Sequence, residues 1–319
     1  MCILFAYVAK PSTSTISRSQ KYLKFVLAFN RDEYYFRPAL PACFWKTDPN
    51  ILAGQDMESG GTWLGINRKT GRIAALTNIM GGTVRDPKNP KVSRGAVLTD
   101  FLSSGSNFNG RTYCTNLYQD PDMLDKYNKF NLITIDLCDA GESHQNYDGA
   151  SCPDNTVTHL PSITYLTNAA NNSPPVSIHS SQDQYFGVSN SVWHTPFSKV
   201  TKGCQIYQEI IEKFTRDDWD HNVKVLLRDQ LLRFLKSTDE HFPDPQMDKL
   251  ASEQVKPFTR RVSSNFVSMP QTQYGTRTHT LIFLDSENYI DFYEWTMKEP
   301  INIENPTWQE SSFNFQLCT

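Results

Sequence analysis

The chain has 319 residues, 39% hydrophobic, 12% aromatic and 20% charged, enough apolar material for one large domain or two ordinary ones. A net charge of -3 gives no general pull toward nucleic acid or an anionic membrane, so any anion binding has to come from a local patch. No run approaches the roughly 20 apolar residues that span a bilayer, and a mean hydropathy of -0.50 fits a soluble protein.

Residues 2–9 form an apolar run with no basic residue before it, which reads as a strand and not as an export signal. A Ser/Thr-rich turn from Pro11 to Thr15 follows, and Tyr22 to Phe29 reads as a second strand. Paired antiparallel, the two bring Cys2 beside the end of the second strand, where Asn30, Arg31, Asp32 and Glu33 stand in a row. Arg37-Pro38 and Leu40-Pro41 then impose an extended, irregular path. Ile51 to Gly54 is a short strand or turn. Gly60-Gly61 introduces a hairpin of residues 62–66 and 72–78 that ends on Asn78. Met80 to Gly95 is a loop carrying Arg85, Lys88, Lys91 and Arg94, and a helix begins near Ala96.

Helix is expected within 111–126, a buried strand at 130–137, a turn-rich hairpin region at 139–156 and a further strand at 157–166. Residues 168–183 read as a surface loop, and Phe186 to Asn190 as another strand ending on Asn. Two helices follow. One spans about 203–214, with Ile206, Ile210 and Phe214 in register. The other spans about 218–236, with Asp218 as N-cap and Trp219, Val223, Leu226, Leu227, Leu231 and Leu235 on a core-facing stripe. Residues 237–257 are loop, and strands are expected at 258–269, 276–285 and 289–297. This succession predicts one α+β domain over residues 1–319.

Seven cysteines, at 2, 43, 114, 138, 152, 204 and 318, are odd in number, scattered and never spaced CxxC. They argue against a disulfide framework and a structural zinc site, and for a reducing compartment, the cytosol. The seven histidines show no HxH or HExxH spacing, so no metal ligand set can be selected and no axial haem ligand named.

Cys2 is the sharpest chemical candidate. Removal of Met1 exposes a thiol and an α-amine on one residue, and such an amine can act as base for its own nucleophile. Arg31 would favour the thiolate and Asp32 would hold the ammonium. The competing reading makes Cys2 a buried apolar filler. Asn78 and Asn190 suit an oxyanion hole, or else serve local hydrogen bonds at strand ends. Gly60, Gly61 and Trp63 bring backbone close to a ligand, or only close a hairpin. The basic loop that holds Arg85 and Arg94 receives phosphate or carboxylate groups, or is plainly solvated.

Several stretches together resemble one family: Met1-Cys2-Ile3, Ala28 to Pro38, Gly60 to Ile66, Ala74 to Asn78, Ser93-Arg94-Gly95, Tyr185 to Asn190 and Tyr274 to Thr278. The chain is similar to the NRDE family, the transport and Golgi organisation protein 2 homologues. The resemblance implies an αββα sandwich of the N-terminal-nucleophile hydrolase type and a role in intracellular haem trafficking, with haem as cargo. A lipid or acyl-CoA role is a further implication, as is association with mitochondria or other organelles. On that reading Asn30, Glu33, Gly60, Gly61, Trp63, Arg85, Arg94 and Arg277 are the ligand-binding positions, and the partner is haem or another anionic small ligand.

A more distant likeness, to the choloylglycine and penicillin V acylases, implies Cys2, Arg31, Asp32, Asn78 and Asn190 as a catalytic set for amide hydrolysis. The acylases separate the Arg from the Asp by two residues, whereas Arg31 and Asp32 are adjacent and, on a strand, point to opposite faces. Three functions therefore stand open: haem carrier, cysteine amidohydrolase, and acyl-CoA or anionic lipid binding protein.

Overall fold

A computed structural model of the chain describes all residues except 11–20, 83–89, 106–107, 139–159, 171–172, 179–183, 216–217 and 318–319. Runs rich in β-branched and aromatic residues form its strands, which make two antiparallel sheets. The first is ordered β10 (Tyr185–Val188), β1 (Ile3–Val8), β2 (Leu23–Tyr34), β12 (Tyr274–Asp285), β13 (Tyr289–Met297) and β14 (Trp308–Gln316), with short β11 (Ser268–Met269) beside β12. The second is a run in sequence order: β3 (Ala39–Phe44), β4 (Ile51–Asp56), β5 (Leu64–Asn67), β6 (Arg72–Asn78), β7 (Phe130–Asp136), β8 (Ser162–Thr167) and β9 (Val176–Ile178). Helices α1 (Gly95–Ser103), α2 (Gly110–Gln119) and α3 (Met123–Lys126) precede β7. Helices α4 (Ser198–Phe214), α5 (His221–Leu235), α6 (Pro245–Leu250) and α7 (Thr259–Val262) lie between β10 and β11.

Both strand faces are apolar because both are covered. Leu4, Leu27, Phe29 and Phe292 of the first sheet meet Leu52, Ile66, Ile73 and Ile133 of the second in a core between the sheets. The first sheet's other face buries Phe5, Val26, Leu281 and Phe283 against Tyr207, Leu227, Leu231 and Phe234 of α4 and α5. The second sheet's outer face buries Ala53, Leu76 and Leu132 against Val97, Leu98 and Phe101 of α1. The layers thus run helix, sheet, sheet, helix, as expected from the family resemblance. Each fully buried large aliphatic or aromatic side chain contributes about 1.5–3 kcal/mol.

The pairing of the first two strands follows the sequence reading, with Ile3 opposite Asn30. Other expectations are corrected. The 168–183 loop contains β9, a short edge strand that alternation over three residues could not signal. The 237–257 loop contains α6, whose N-cap Asp244 accepts from the backbone N–H groups of Gln246 and Met247. The expected strand at 258–269 begins instead with the turn of α7, and only Ser268–Met269 is strand. Helix α5 is capped by Asp220, not Asp218. Ile206 and Leu226, assigned to apolar stripes, are exposed. Strand β14 was unforeseen: its exposed, polar alternation makes it an edge. The hairpin region at 139–156 lies outside the described residues.

Candidate functional site

Strand β2 is the longest rod of the first sheet together with β12, and its last turn of pleat emerges at the rim between the two sheets. There a cavity of about 130 Å3 is lined by Cys2, Arg31, Asp32, Glu33, Arg37 and Asp56 from one side. Ser59, Thr62, Trp63, Leu76, Asn78, Ser93, Arg94 and Gly95 line it from the other. The second group is delivered by the β4–β5 turn, the end of β6 and the start of α1. That turn needs Gly60, whose φ is +74°, and Gly61 lies against Gly95: a Cβ on Gly61 would fall 2.7 Å from the Gly95 carbonyl carbon. The two glycines therefore bring the N-terminus of α1 down onto the cavity, and neither Gly60 nor Gly61 lines it.

The pleat separates Arg31 from Asp32. Phe29 and Arg31 face between the sheets, whereas Asn30 and Asp32 face the helical layer. The Arg31 side chain is only 4% exposed. Its guanidinium lies 3.9 Å from the centre of the Trp63 ring, and Nη2 donates to Asp56 Oδ2 at 3.2 Å. Its Nη1 is buried with no hydrogen-bond partner among the described residues. Asp56 also accepts from Arg37, Nε to Oδ2 at 2.6 Å and Nη2 to Oδ1 at 3.1 Å, and from the backbone N–H groups of Glu58 and Ser59. Burial alone would raise the Asp56 carboxyl, but the hydrogen bonds and charge of Arg37, with Arg31, outweigh it and hold the group below its ordinary range.

On the other face, Asp32 Oδ1 accepts from Thr276 Oγ1 at 2.6 Å, and Oδ2 lies 3.3 Å from the Met1 ammonium, which also donates to the Tyr274 hydroxyl. Burial pushes the Asp32 carboxyl up. That ammonium and the fully buried Lys199 of α4 oppose the rise. The Cys2 thiol donates to the Asp32 main-chain oxygen at 3.9 Å, and burial raises it above its ordinary value against the pull of the N-terminal ammonium. The thiol is thus protonated at neutral pH.

Glu33 and Arg94 also line the cavity, and Arg94 Nη1 donates to the Lys129 carbonyl at 3.1 Å. Asn78 lines it, while Asn190 stands behind: its Nδ2 donates to the Asn78 carbonyl at 2.5 Å and it is absent from the lining. Asn30 lies in the interior, where Nδ2 donates to the carbonyls of Leu235 and Asn265 and Oδ1 faces His279 Nδ1 at 2.7 Å. Arg277 sits at a register slip between Thr276 and Thr278 and donates to the carbonyls of Tyr34 and Arg37 and to Glu299, so it holds the segment that carries Arg37. Arg85 lies outside the described residues.

Asp56, Arg37, Ser59, Thr62, Ser93 and Gly95 were not singled out from the sequence. Arg37, Thr62, Ser93 and Gly95 stand within the family-like stretches, which were their readable signal. Asp56 had none, because the expected short strand ends at Gly54 and the observed one runs on to Asp56. Among the described residues no cluster of His, Cys, Asp or Glu is arranged to hold a metal, and no helix is long and apolar enough to cross a membrane.

The sequence profile of the family described as Transport and Golgi organisation 2 matches residues 1–299. The Bos taurus Transport and Golgi organization protein 2 homolog is 30% identical over 321 residues, spanning 99% of each chain. The Homo sapiens homolog is 30% identical over 327 residues, again 99% of each. The Drosophila melanogaster protein of that name is 28% identical over 306 residues, 91% of this chain and 93% of its own. Among solved structures, a Caenorhabditis elegans ortholog of N-acylethanolamine-hydrolyzing acid amidase is similar at a TM-score of 0.38 and 8% identity, over 88% of this chain and 92% of its own.

Proposed function

The chain belongs to the Transport and Golgi organisation 2 family, and we propose that within it the protein is a cytosolic carrier of an anionic, largely apolar small ligand, with haem as the candidate cargo. One observation carries this reading. Arg31 presents a buried Nη1 without an acceptor among the described residues, in a cavity whose other arginines are Arg37 and Arg94. A carboxylate is the natural complement, because it satisfies the orphaned donor and offsets a desolvated positive charge. The start of α1 adds its positive dipole end at Gly95.

Size limits what enters. At about 30 Å3 for a water molecule, 130 Å3 takes a group of roughly four heavy atoms, which suits a carboxylate and excludes a macrocycle. Haem would bind by drawing one propionate inward, its ring remaining outside. Titrating the protein with haem should give a saturable Soret shift, and Arg31→Gln should weaken binding at least tenfold. Haem absorbance unchanged at micromolar protein would overturn the reading.

A second reading is favoured by the placing of the α-ammonium of residue 1 beside Asp32 and Cys2. With Met1 cleaved, the Cys2 amine would accept the thiol proton while sulfur attacks an amide carbonyl. The amine leaving group would take that proton, and water would then release the acid from the thioester. Intact mass decides it: a retained Met1 blocks the amine and rules the mechanism out.

A further inference from the structure

The helical layer over the first sheet carries a groove that shares no lining residue with the arginine-lined cavity. Its volume is about 260 Å3, and it runs between α4 and α5, where Ile206, Ile210 and Phe234 supply apolar walls. Ile206 stands one helical turn before the buried Ile210 and is itself 40% exposed, because it lines the groove instead of touching α5. Past α5 the chain turns through Ser237, Asp239 and His241, which form the rim, and Asn265 completes the lining from the segment after α7.

Asn265 is 3% exposed and firmly held. Its Nδ2 donates to the Phe234 carbonyl at 3.2 Å, and its main-chain carbonyl accepts from Asn30 Nδ2 at 2.8 Å. The next residue, Phe266, donates its N–H to the Ser237 carbonyl at 2.8 Å. The side-chain amide therefore keeps one orientation: turned over, its oxygen would meet the Phe234 carbonyl oxygen with no proton between them. In that orientation Oδ1 has no hydrogen-bond donor among the described residues. A buried acceptor in this state gains from any donor brought to it. The rim gives little preference to an ion. Arg233 Nε turns back to the Asp229 carbonyl at 3.2 Å, and Asp239 Oδ2 accepts from Ser237 Oγ at 2.9 Å, so one exposed cation stands against one exposed anion. Burial and the Lys202 charge hold the His241 imidazole below its ordinary pKa, which leaves it mostly neutral at pH 7.

We propose that this groove is a separate ligand site, for a neutral small molecule that carries a hydroxyl or amide N–H donor on an apolar body. The donor meets Asn265 Oδ1 and the body lies along Ile206, Ile210 and Phe234, the combination of apolar walls and one placed polar group that small-molecule sites share. At about 30 Å3 per small group, 260 Å3 takes roughly nine heavy atoms. An ammonium or a carboxylate gains from one rim charge what it loses to the other, and gives up its hydration besides. The site stands or falls without the carrier reading, because no residue of the arginine-lined cavity takes part in it.

Hexanol and hexyl methyl ether both fit the groove and differ chiefly in the donor, so they test the assignment on the wild-type protein. Titration of each, followed by NMR through the Asn265 side-chain amide, should give a saturable shift with hexanol and binding at least about tenfold weaker with the ether. Hexanoate should also bind more weakly than hexanol. Ile206→Trp, at an exposed position, fills the mouth of the groove and should weaken hexanol binding at least about fivefold with the urea midpoint unchanged. Ether binding equal to hexanol binding overturns the role of Asn265, and hexanoate binding tighter than hexanol overturns the neutral class. Absence of a saturable shift with hexanol, or hexanol affinity unchanged by Ile206→Trp, overturns the site itself.

Discussion

Glu294 offers the most quantitative test of how the two sheets are joined. It stands on β13, 2% exposed, and faces the space between the sheets. Its Oε1 accepts from the Ala42 N–H of β3 at 2.6 Å and from Thr296 Oγ1 at 3.0 Å, so one carboxyl bridges a strand of each sheet. Burial raises its pKa from an ordinary 4.5 to about 7, and the Ala42 and Thr296 hydrogen bonds and the Arg31 charge only partly oppose the rise. The unfolded carboxyl loses its proton near 4.5, so between pH 4.5 and about 7 the folded chain holds a proton that the unfolded chain has released.

The sign is then fixed. This group's contribution is most favourable below pH 4.5, falls by about 1.4 kcal/mol per pH unit, and levels off above pH 7. Across about 2.5 units the loss is on the order of 3 kcal/mol. Glu294→Gln keeps the acceptor oxygen and removes the titration. Urea unfolding of both proteins from pH 4.5 to 8 should show a stability difference near zero at the acid end. It should grow with pH until the variant is the more stable by about 3 kcal/mol. Titrations common to both proteins cancel in that difference. A difference independent of pH, or a wild type more stable at pH 8, would refute the reasoning.

Asn30→Ala would leave the Leu235 and Asn265 carbonyls and the His279 ring without partners, at about 1–3 kcal/mol for each group. The urea midpoint should fall accordingly while haem affinity of the folded variant stays within about threefold; the reverse pattern would place Asn30 in ligand recognition. Cys2, buried and raised in pKa, should react with iodoacetamide at pH 7.5 at least about tenfold slower than the exposed Cys43 in the same molecule. A faster Cys2 would show a thiolate and favour the nucleophile reading. Gly61→Ala forces a methyl group against Gly95 and should cost about 1–3 kcal/mol, with a change in the near-ultraviolet dichroism of Trp63. An unchanged unfolding midpoint would mean that α1 has room to move.

The parts of the fold that could be read from the sequence are those whose signal is local. The β1–β2 hairpin followed from two apolar runs, and α4 and α5 from side-chain spacing. The short β9 and strand β14 were missed because each buries little: β9 has three residues, and β14 alternates only between half-buried and exposed positions, with no buried face to mark it. The same distinction holds at the site. Cys2, Arg31, Asp32 and Glu33 were legible since one hairpin brings them together. Asp56 was not, because its role depends on two arginines from a different sheet strand and a following turn converging on it. Asn30 belongs to the same four-residue row, yet its partners are carbonyls more than 200 residues away, which no local pattern encodes.

Adjacency of Arg31 and Asp32 seemed an obstacle to any joint chemistry, and the pleat turns it into a division of labour. Each residue keeps its own face of β2. Asp32 spends its negative charge on the helical side, against Thr276, the chain's ammonium group and the charge of Lys199. Arg31 stays between the sheets, shielded from Asp32 by its own backbone and stacked on Trp63. Asp56 is the one carboxylate it meets directly, and Arg37 competes for that group with two shorter hydrogen bonds. Three arginines and three carboxylates line the cavity, and what is left over is a single donor, the buried Arg31 Nη1, with no acceptor among the described residues. Had the two residues been separated by one position, both would face the thiol and the carboxylate would quench the arginine. The spacing that weakens the case for an acylase is the spacing that keeps Arg31 available to an anion.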